Sequence, residues 1–184
     1  MKLKTHNLFN IGILTAIGSL FVNPVLSLIS AAILSITGDT IIDFFGHETN
    51  NYGVPVRTYK THSPLRGFIW GGLPAIILFF ALPHLPKNKF NFFIPEVVPY
   101  WILLQGLFVG PLHLSIDVIT EGGIFIKKNG RFQRYAIAHI NYNSLFWNGL
   151  FQLLGLLVIL ITFYKAGGQY SAYLMHLVKY HSIY

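Results

Sequence analysis

The chain has no cysteine, which excludes disulfides, thiolate metal ligands and cysteine nucleophiles and leaves the redox state of its compartment unread. Charge is scarce as well: Asp, Glu, Lys and Arg make up 10% of the 184 residues, against roughly 25% in an ordinary soluble domain. Only six residues are acidic. A Gly-rich phosphate loop, a nucleophile elbow, a haem-attachment pattern and an EF-hand loop are all missing, so the chemistries those motifs carry have no basis here.

What fills the space is apolar. Hydrophobic residues account for 53% and aromatic residues for 16% of the chain, in long blocks separated by short polar stretches, as spans of roughly 17 to 25 residues would leave them. Five blocks are read, over residues 7–22, 24–44, 67–83, 97–126 and 144–164. Asn23-Pro24 makes the first turn, Pro83-His84-Leu85-Pro86 ends the third block, and Pro111 is the expected kink of the fourth, which is long enough to be tilted or partly re-entrant. The glycines fall mainly inside the blocks, where small residues permit close helix packing. After Gly167-Gly168, expected to break the helix, Tyr170, Tyr173, Leu174, Leu177 and Val178 recur at helical intervals, as in an interfacial helix. The expected architecture is all-α: a polytopic integral membrane bundle of about five transmembrane helices over residues 1–164, then a C-terminal interfacial helix in an amphipathic tail, 165–184.

The opening Met-Lys-Leu-Lys precedes an apolar run without a small-residue cleavage site, so the run is read as a retained span and not as a signal peptide. The net charge of +7 sorts by loop. Lys2, Lys4, Arg57, Lys60, Arg66, Lys127, Lys128, Arg131 and Arg134 fall on one side and Lys87, Lys89, Lys165 and Lys179 on the other. By the positive-inside rule the N-terminus is cytoplasmic and the C-terminus outside, in the plasma membrane. The basic residues form no single block, which argues against nucleic acid as a partner.

Against this background the stretch HLSIDVITEGG, residues 113–123, is costly, because each ionisable group near a bilayer centre costs roughly 2.5 to 3.5 kcal/mol even on lenient scales. The acidic residues are Asp39, Asp43, Glu48, Glu96, Asp117 and Glu121, and four of them lie within or at the end of a block, toward the cytoplasmic side. His6 begins the first block on that side, His62 lies in the loop after the second, and His113 ends near the same level. Residues four apart share one helix face, and that spacing links His6 with Asn10, Asp39 with Asp43, and His113 with Asp117, with Thr120 and Glu121 continuing the last face.

Imidazoles and carboxylates converging in a low-dielectric bundle are the ligand mix of Zn²⁺ and related divalent ions, and an ion would offset the cost of the buried charges. Other readings stand beside this one. Taken alone, the His113/Asp117 pair fits an interhelical hydrogen bond or a proton relay as well as it fits a metal. His47 and Glu48 fit a solvated turn, with ligation by His47 the alternative, Thr61 or Ser63 fits a helix cap ahead of Pro64, and His84, His139, His176 and His181 read as hydrogen-bonded core residues.

Four motifs in order, Thr5-His6, GDTIID at 38–43, R-x-x-x-T-H-S from Arg57 to Ser63 and H-x-x-x-D-x-x-T-x-x-G from His113 to Gly123, resemble the YdjM-like membrane-bound metal-dependent hydrolases, more closely their archaeal domain-of-unknown-function branch. The resemblance covers residues 5–125. It implies a remote kinship with the zinc-dependent phospholipase C and single-strand nuclease superfamily, all-helical proteins built around a metal cluster. It further implies that Asp39, His62, His113 and Asp117 surround one ion and that His6 with Asp117 helps hold a second, Asp117 being the bridge. The further His and His-x-x-x-Glu of the soluble enzymes are lacking, and Val56 stands where the group often has a His, so a reduced site of one or two ions is expected.

The expected function is an integral membrane metal-dependent hydrolase acting at the cytoplasmic surface on a phosphoester, a lipid headgroup above all. The ion would activate water and polarise a phosphoryl oxygen. Asp43 or Glu121, whichever is not used for ligation, would be the general base, and Arg57, Lys60 and Arg66 would bind the anionic substrate, although a basic loop is also expected from topology. The alternative is a non-catalytic membrane subunit or scaffold with a structural metal or polar site, acting through protein partners or as a homo-oligomer. A transporter ranks third, since the polar residues gather at one surface instead of the midplane and no internal repeat is present.

Overall fold

The computed structural model describes residues 1–53, 55–84 and 100–181 of the chain. Lys87, Lys89 and Glu96 lie outside the described residues, as do the side chains of the expected tail beyond Gly168. Five helices carry the structure: α1 (Leu3–Gly18), α2 (Pro24–Gly46), α3 (Pro64–Ala81), α4 (Tyr100–Asp117) and α5 (Leu145–His181). Two small antiparallel hairpins accompany them. β1 (His47–Thr49) pairs with β2 (Pro55–Arg57), and β3 (Ile124–Lys128) pairs with β4 (Arg131–Tyr135).

Local chemistry sets several of these boundaries. Asn23 caps α2, its Oδ1 accepting from Leu26 N at 2.9 Å while Pro24 takes the first helical position. Ser63 is the residue before α3, with Pro64 in the same favourable first position. Pro111 sits inside α4 without ending it.

The helices pack chiefly as α3 on α4, α1 on α2 and α1 on α5, with α4 also touching α1 and α2. Glycine makes these approaches close. A Cβ on Gly12 of α1 would collide with the backbone of Gly155 of α5, and one on Gly71 of α3 would collide with the backbone of Gly110 of α4.

The interior is unusually polar and the exterior unusually greasy. Leu14, Ala31, Leu34, Ala75, Ile102 and Val109 form a small apolar core, yet Gln105, Ser27, Asn10, Asp39, His113 and Asp117 are buried as completely. Gln105 ties three helices together, donating to Leu14 O at 2.8 Å and accepting from Ser30 Oγ at 2.6 Å. Ile29, Ile33 and Ile36 of α2, Ile69, Ile76, Ile77 and Phe80 of α3, and Leu153, Leu160 and Ile161 of α5 are exposed. Three helical segments, Pro24–Gly46, Pro64–Ala81 and Leu145–Gly168, are long and apolar enough to cross a membrane. Length and composition therefore support three spans where the sequence suggested five; α1 has 16 residues, and α4 carries the buried polar residues of the site.

Two expected boundaries move. The fourth block ends at Asp117 instead of 126 because Asp117 O accepts both the Thr120 backbone N–H, at 3.0 Å, and the Thr120 hydroxyl, at 2.8 Å, which turns the chain. Beyond it β3 and β4 meet at Asn129-Gly130, both at positive φ (51° and 79°), the Asn-Gly signature of a tight hairpin. Helix α5, expected to stop at Gly167-Gly168, continues through both to His181; each glycine costs only about 1 kcal/mol relative to alanine, and Ala172, Leu174 and Met175 are strong helix formers.

Candidate metal centre

The helices run up and down, so the start of α1, the end of α2, the loop entering α3 and the end of α4 all arrive at one end of the bundle. His6 and Asn10 come from α1, Ser35, Asp39 and Asp43 from α2, His62 from the loop, and His113 and Asp117 from α4. The loop is pinned before it reaches the site: the Thr61 hydroxyl donates to Ile42 O at 2.8 Å. Gly46 makes room for this, since a Cβ there would run into the Thr61 hydroxyl and the His62 ring.

Four ligand atoms face one another. His113 Nε2 lies 3.2 Å from Asp117 Oδ2 and 3.5 Å from Asp43 Oδ1, and His62 Nε2 lies 3.5 Å from each of the same two oxygens. A tetrahedral ion with bonds of roughly 2.0 to 2.1 Å holds its ligand atoms about 3.3 Å apart. The four imidazole–carboxylate separations are compatible with that ion.

The protons on the two imidazoles are placed by their other nitrogens. His113 Nδ1 lies 3.0 Å from Asp39 Oδ1, a pure acceptor, so this nitrogen carries the proton. His62 Nδ1 lies 2.9 Å from Thr61 Oγ1, whose own proton goes to Ile42 O, so His62 also donates from Nδ1. Both Nε2 atoms are thereby left as lone pairs, the form that binds a metal. Burial pushes the His62 imidazole below its ordinary value, which further favours the neutral ring. His62 Nε2, His113 Nε2 and Asp117 Oδ2 are all buried without a hydrogen-bond partner. Lone pairs turned toward one another in a dry site could hold a cation between them. A proton can bridge one pair at a time; an ion at their centre serves all four.

Asp39 does not share this centre. Asn10 Nδ2 donates to its Oδ1 and Oδ2 at 2.9 and 3.1 Å, Ser35 Oγ donates to Oδ2 at 3.0 Å, and His113 takes Oδ1. It orients a ligand. His6 stacks on His113 with ring centroids 4.0 Å apart, and its Nε2 lies 3.1 Å from Asp117 Oδ1, the other oxygen of that carboxylate; His6, His113 and Asp117 together form one group that could hold an ion. The same oxygen meets Arg57 Nη2 at 2.6 Å and the Met1 amino group at 3.1 Å, whose ordinary basicity is reduced by burial.

The expected substrate-binding cations are placed variously. Arg57 faces inward, also donating to Thr120 Oγ1 at 2.9 Å. Lys60 is exposed and paired with Glu48, which raises its basicity. Arg66 lies 4.9 Å over the Tyr59 ring and 5.2 Å over Phe132. Phe45, Lys60, Thr61, Arg66 and Trp70 line a cavity of about 410 Å³ beside the His62 loop. A larger one, about 760 Å³, lies at the other end of the bundle between the α1–α2 turn and α5 and holds none of the cluster.

Among the expected catalytic carboxylates, Asp43 is in the cluster and 22% exposed, whereas Glu121 is exposed in the turn after Thr120, outside the two groups, His6 with His113 and Asp117 and Asp43 with His47 and His62, that could hold an ion. His47, expected in a solvated turn, is partly buried, with Nδ1 2.8 Å from Asp43 O. His84 and His139 are exposed and not core residues; the side chains of His176 and His181 lie outside the described residues. Ser35 had no place in the sequence reading, although its spacing of four from Asp39 is the same signal that marked the other pairs.

A family model described as protein of unknown function (DUF1286) matches residues 1–116. The match takes in His6, Asp39, Asp43, His62 and His113 and stops one residue before Asp117. No curated protein and no solved structure matches the chain.

Proposed function

The chain belongs to DUF1286, a family of unknown function, and we propose that it is an integral membrane metallohydrolase that cleaves phosphoesters of lipid headgroups at the cytoplasmic surface. The single observation behind this reading is the convergence of His62 Nε2, His113 Nε2, Asp117 Oδ2 and Asp43 Oδ1 at 3.2 to 3.5 Å, three of them buried without a hydrogen-bond donor. The resemblance to YdjM-like hydrolases supports it independently of the geometry.

A divalent ion held by His62, His113 and Asp117 would keep its fourth position for a water, which it would activate while polarising a phosphoryl oxygen. The chain's own residues do the rest. Asp39 and the Thr61 hydroxyl hold the two imidazoles in the ligating tautomer. Asp43 is the partly exposed member of the four, so it is the carboxylate that an entering substrate meets and the one placed to take a proton from attacking water. The adjacent cavity offers aromatic walls from Phe45 and Trp70 with Lys60 and Arg66 at its edge, a surface suited to an amphiphile with an anionic head.

The membrane reading rests on the exposed aliphatic faces of α2, α3 and α5. The excess of Lys and Arg on the loops flanking the site supports a cytoplasmic position for the centre. Replacing His113 or Asp117 by Ala is expected to abolish both bound metal and phosphate release from lipid vesicles; full activity in either variant rejects the assignment. The near-complete burial of the cluster favours a second reading, a structural ion in a membrane subunit that acts through partners. Metal that stays bound without any phosphate release would support that reading.

A further inference from the structure

We infer that the Arg57 guanidinium takes the place of a second metal ion, so that the centre holds one divalent cation and counts Arg57 as its second positive group. The inference rests on the metal reading above and concerns how many ions the site accepts.

It follows from the two sides of Asp117. Oδ2 faces His62 and His113 and has no donor. Oδ1, the atom a bridging carboxylate would give to a second ion, is already met by Arg57 Nη2 at 2.6 Å. His6 Nε2, another buried atom without a hydrogen-bond partner, stands 3.1 Å from the same oxygen, and Thr120 Oγ1 accepts from Arg57 Nη1 at 2.9 Å. The three atoms that could serve a second ion are therefore gathered around the guanidinium, two of them bonded to it.

Arg57 is held there firmly. Its Nη1 also reaches Gly123 O at 3.4 Å, and a Cβ on Gly122 would press against the guanidinium. The backbone pairing of β2 with β1 sets Arg57 opposite His47, which fixes the direction from which the side chain enters. Charge leads to the same count. Asp39, Asp43 and Asp117 bring three negative charges, and Arg57 Nη2 and the Met1 amino group already stand at Asp117 Oδ1, so one divalent ion at least balances the group, whereas a second would leave two or more uncompensated positive charges in a dry site, which is strongly unfavourable.

The test uses the full chain in detergent, equilibrated with excess Zn²⁺ and then dialysed against micromolar Zn²⁺ before elemental analysis. The wild-type chain is expected to retain one ion. Arg57→Ala, which bares Asp117 Oδ1, Thr120 Oγ1 and His6 Nε2, is expected to retain two, a doubling, while Arg57→Lys keeps the charge and retains one. Two ions in the wild-type chain, or one in a folded Arg57→Ala variant, would overturn the inference and leave the metallohydrolase reading standing. Zero ions in the wild type would sink both. Where the Ala variant does not assemble, Arg57→Gln, which removes the charge but keeps most of the volume, is read in its place: two ions support the inference and one overturns it.

Discussion

His113 donates its Nδ1 proton to Asp39 across 3.0 Å, and in doing so points its Nε2 lone pair at Asp43 and Asp117. Asp39 is itself fixed by Asn10 and Ser35, so the chain of contacts runs from α1 and α2 through a carboxylate to one imidazole of α4. Such carboxylate–histidine pairs set the ring orientation and raise the ligand's basicity.

Asp39→Asn tests this directly. The amide keeps the volume but presents a donor on one side, so His113 loses either its tautomer or its hydrogen bond. Metal affinity is expected to fall about 10- to 100-fold, measured by competition with a chromogenic chelator. Unchanged affinity would mean that Asp39 does not orient His113.

Acid should strip the centre, and His62 gives the sign. Its folded-state basicity is lowered by burial, so the fold holds it neutral while the unfolded chain takes up a proton as pH falls through the ordinary value of 6.5. The stabilisation is complete above that value and is lost progressively below it. Protons compete with the metal at the same nitrogen, which moves affinity in the same direction. Bound metal and melting temperature, followed from pH 8 to pH 5, are expected to fall together, starting near pH 6.5. Metal retention that is flat over this range would contradict a neutral His62 as ligand.

The residues that meet at the site were largely legible in the sequence, because spacings of four put Asp39 with Asp43 and His113 with Asp117 on single helix faces whatever the tertiary arrangement. Their division of labour was not. Whether Asp39 binds an ion or holds a ligand depends on which nitrogen of His113 it meets, and that is fixed only when α2 and α4 pack. Arg57 read as an anion binder because a loop arginine is normally free; the turn at Thr120 and Gly123 that draws it inward is a tertiary event. Thr61 was visible as a cap residue, but its bond to Ile42 O needed the folded loop. The Asn129-Gly130 hairpin had its local signal and was overridden by reading apolar length through Ile124–Ile126.

Close helix packing at glycine gives a stability prediction with an internal control. A Cβ at Gly71 meets the Gly110 backbone, while one at Gly149 meets nothing. Gly71→Leu is expected to destabilise by about 1 to 3 kcal/mol or more through overpacking, and Gly149→Ala to stabilise by about 0.5 to 1 kcal/mol through helix propensity. Thermal unfolding in detergent separates them: a lower midpoint for the first and an equal or higher one for the second. Equal midpoints would show that the α3–α4 contact at Gly71 is loose.

The most discriminating substitution lies on the outside. Ile33 is in the middle of α2 and 45% exposed, with no charged residue in the preceding or following turn. In a water-soluble bundle Ile33→Lys would place a charge on a wet surface and change stability by no more than about 0.5 kcal/mol. In a bilayer the same lysine faces acyl chains near the centre of a span and costs roughly 2.5 to 3.5 kcal/mol on the insertion scale. That is a factor of about 100 in the insertion equilibrium, since each 1.4 kcal/mol is tenfold. The wild-type chain is therefore expected to resist alkaline carbonate extraction from membranes, and the Ile33→Lys chain to be largely extracted or degraded. The site would be a bystander in this experiment, because Ile33 is exposed and lies six and ten residues along α2 from Asp39 and Asp43, roughly 9 and 15 Å at 1.5 Å per residue. A variant that stays in the membrane fraction as well as wild type would place α2 out of contact with lipid, and a wild-type chain found in the soluble fraction would remove the membrane from the reading altogether.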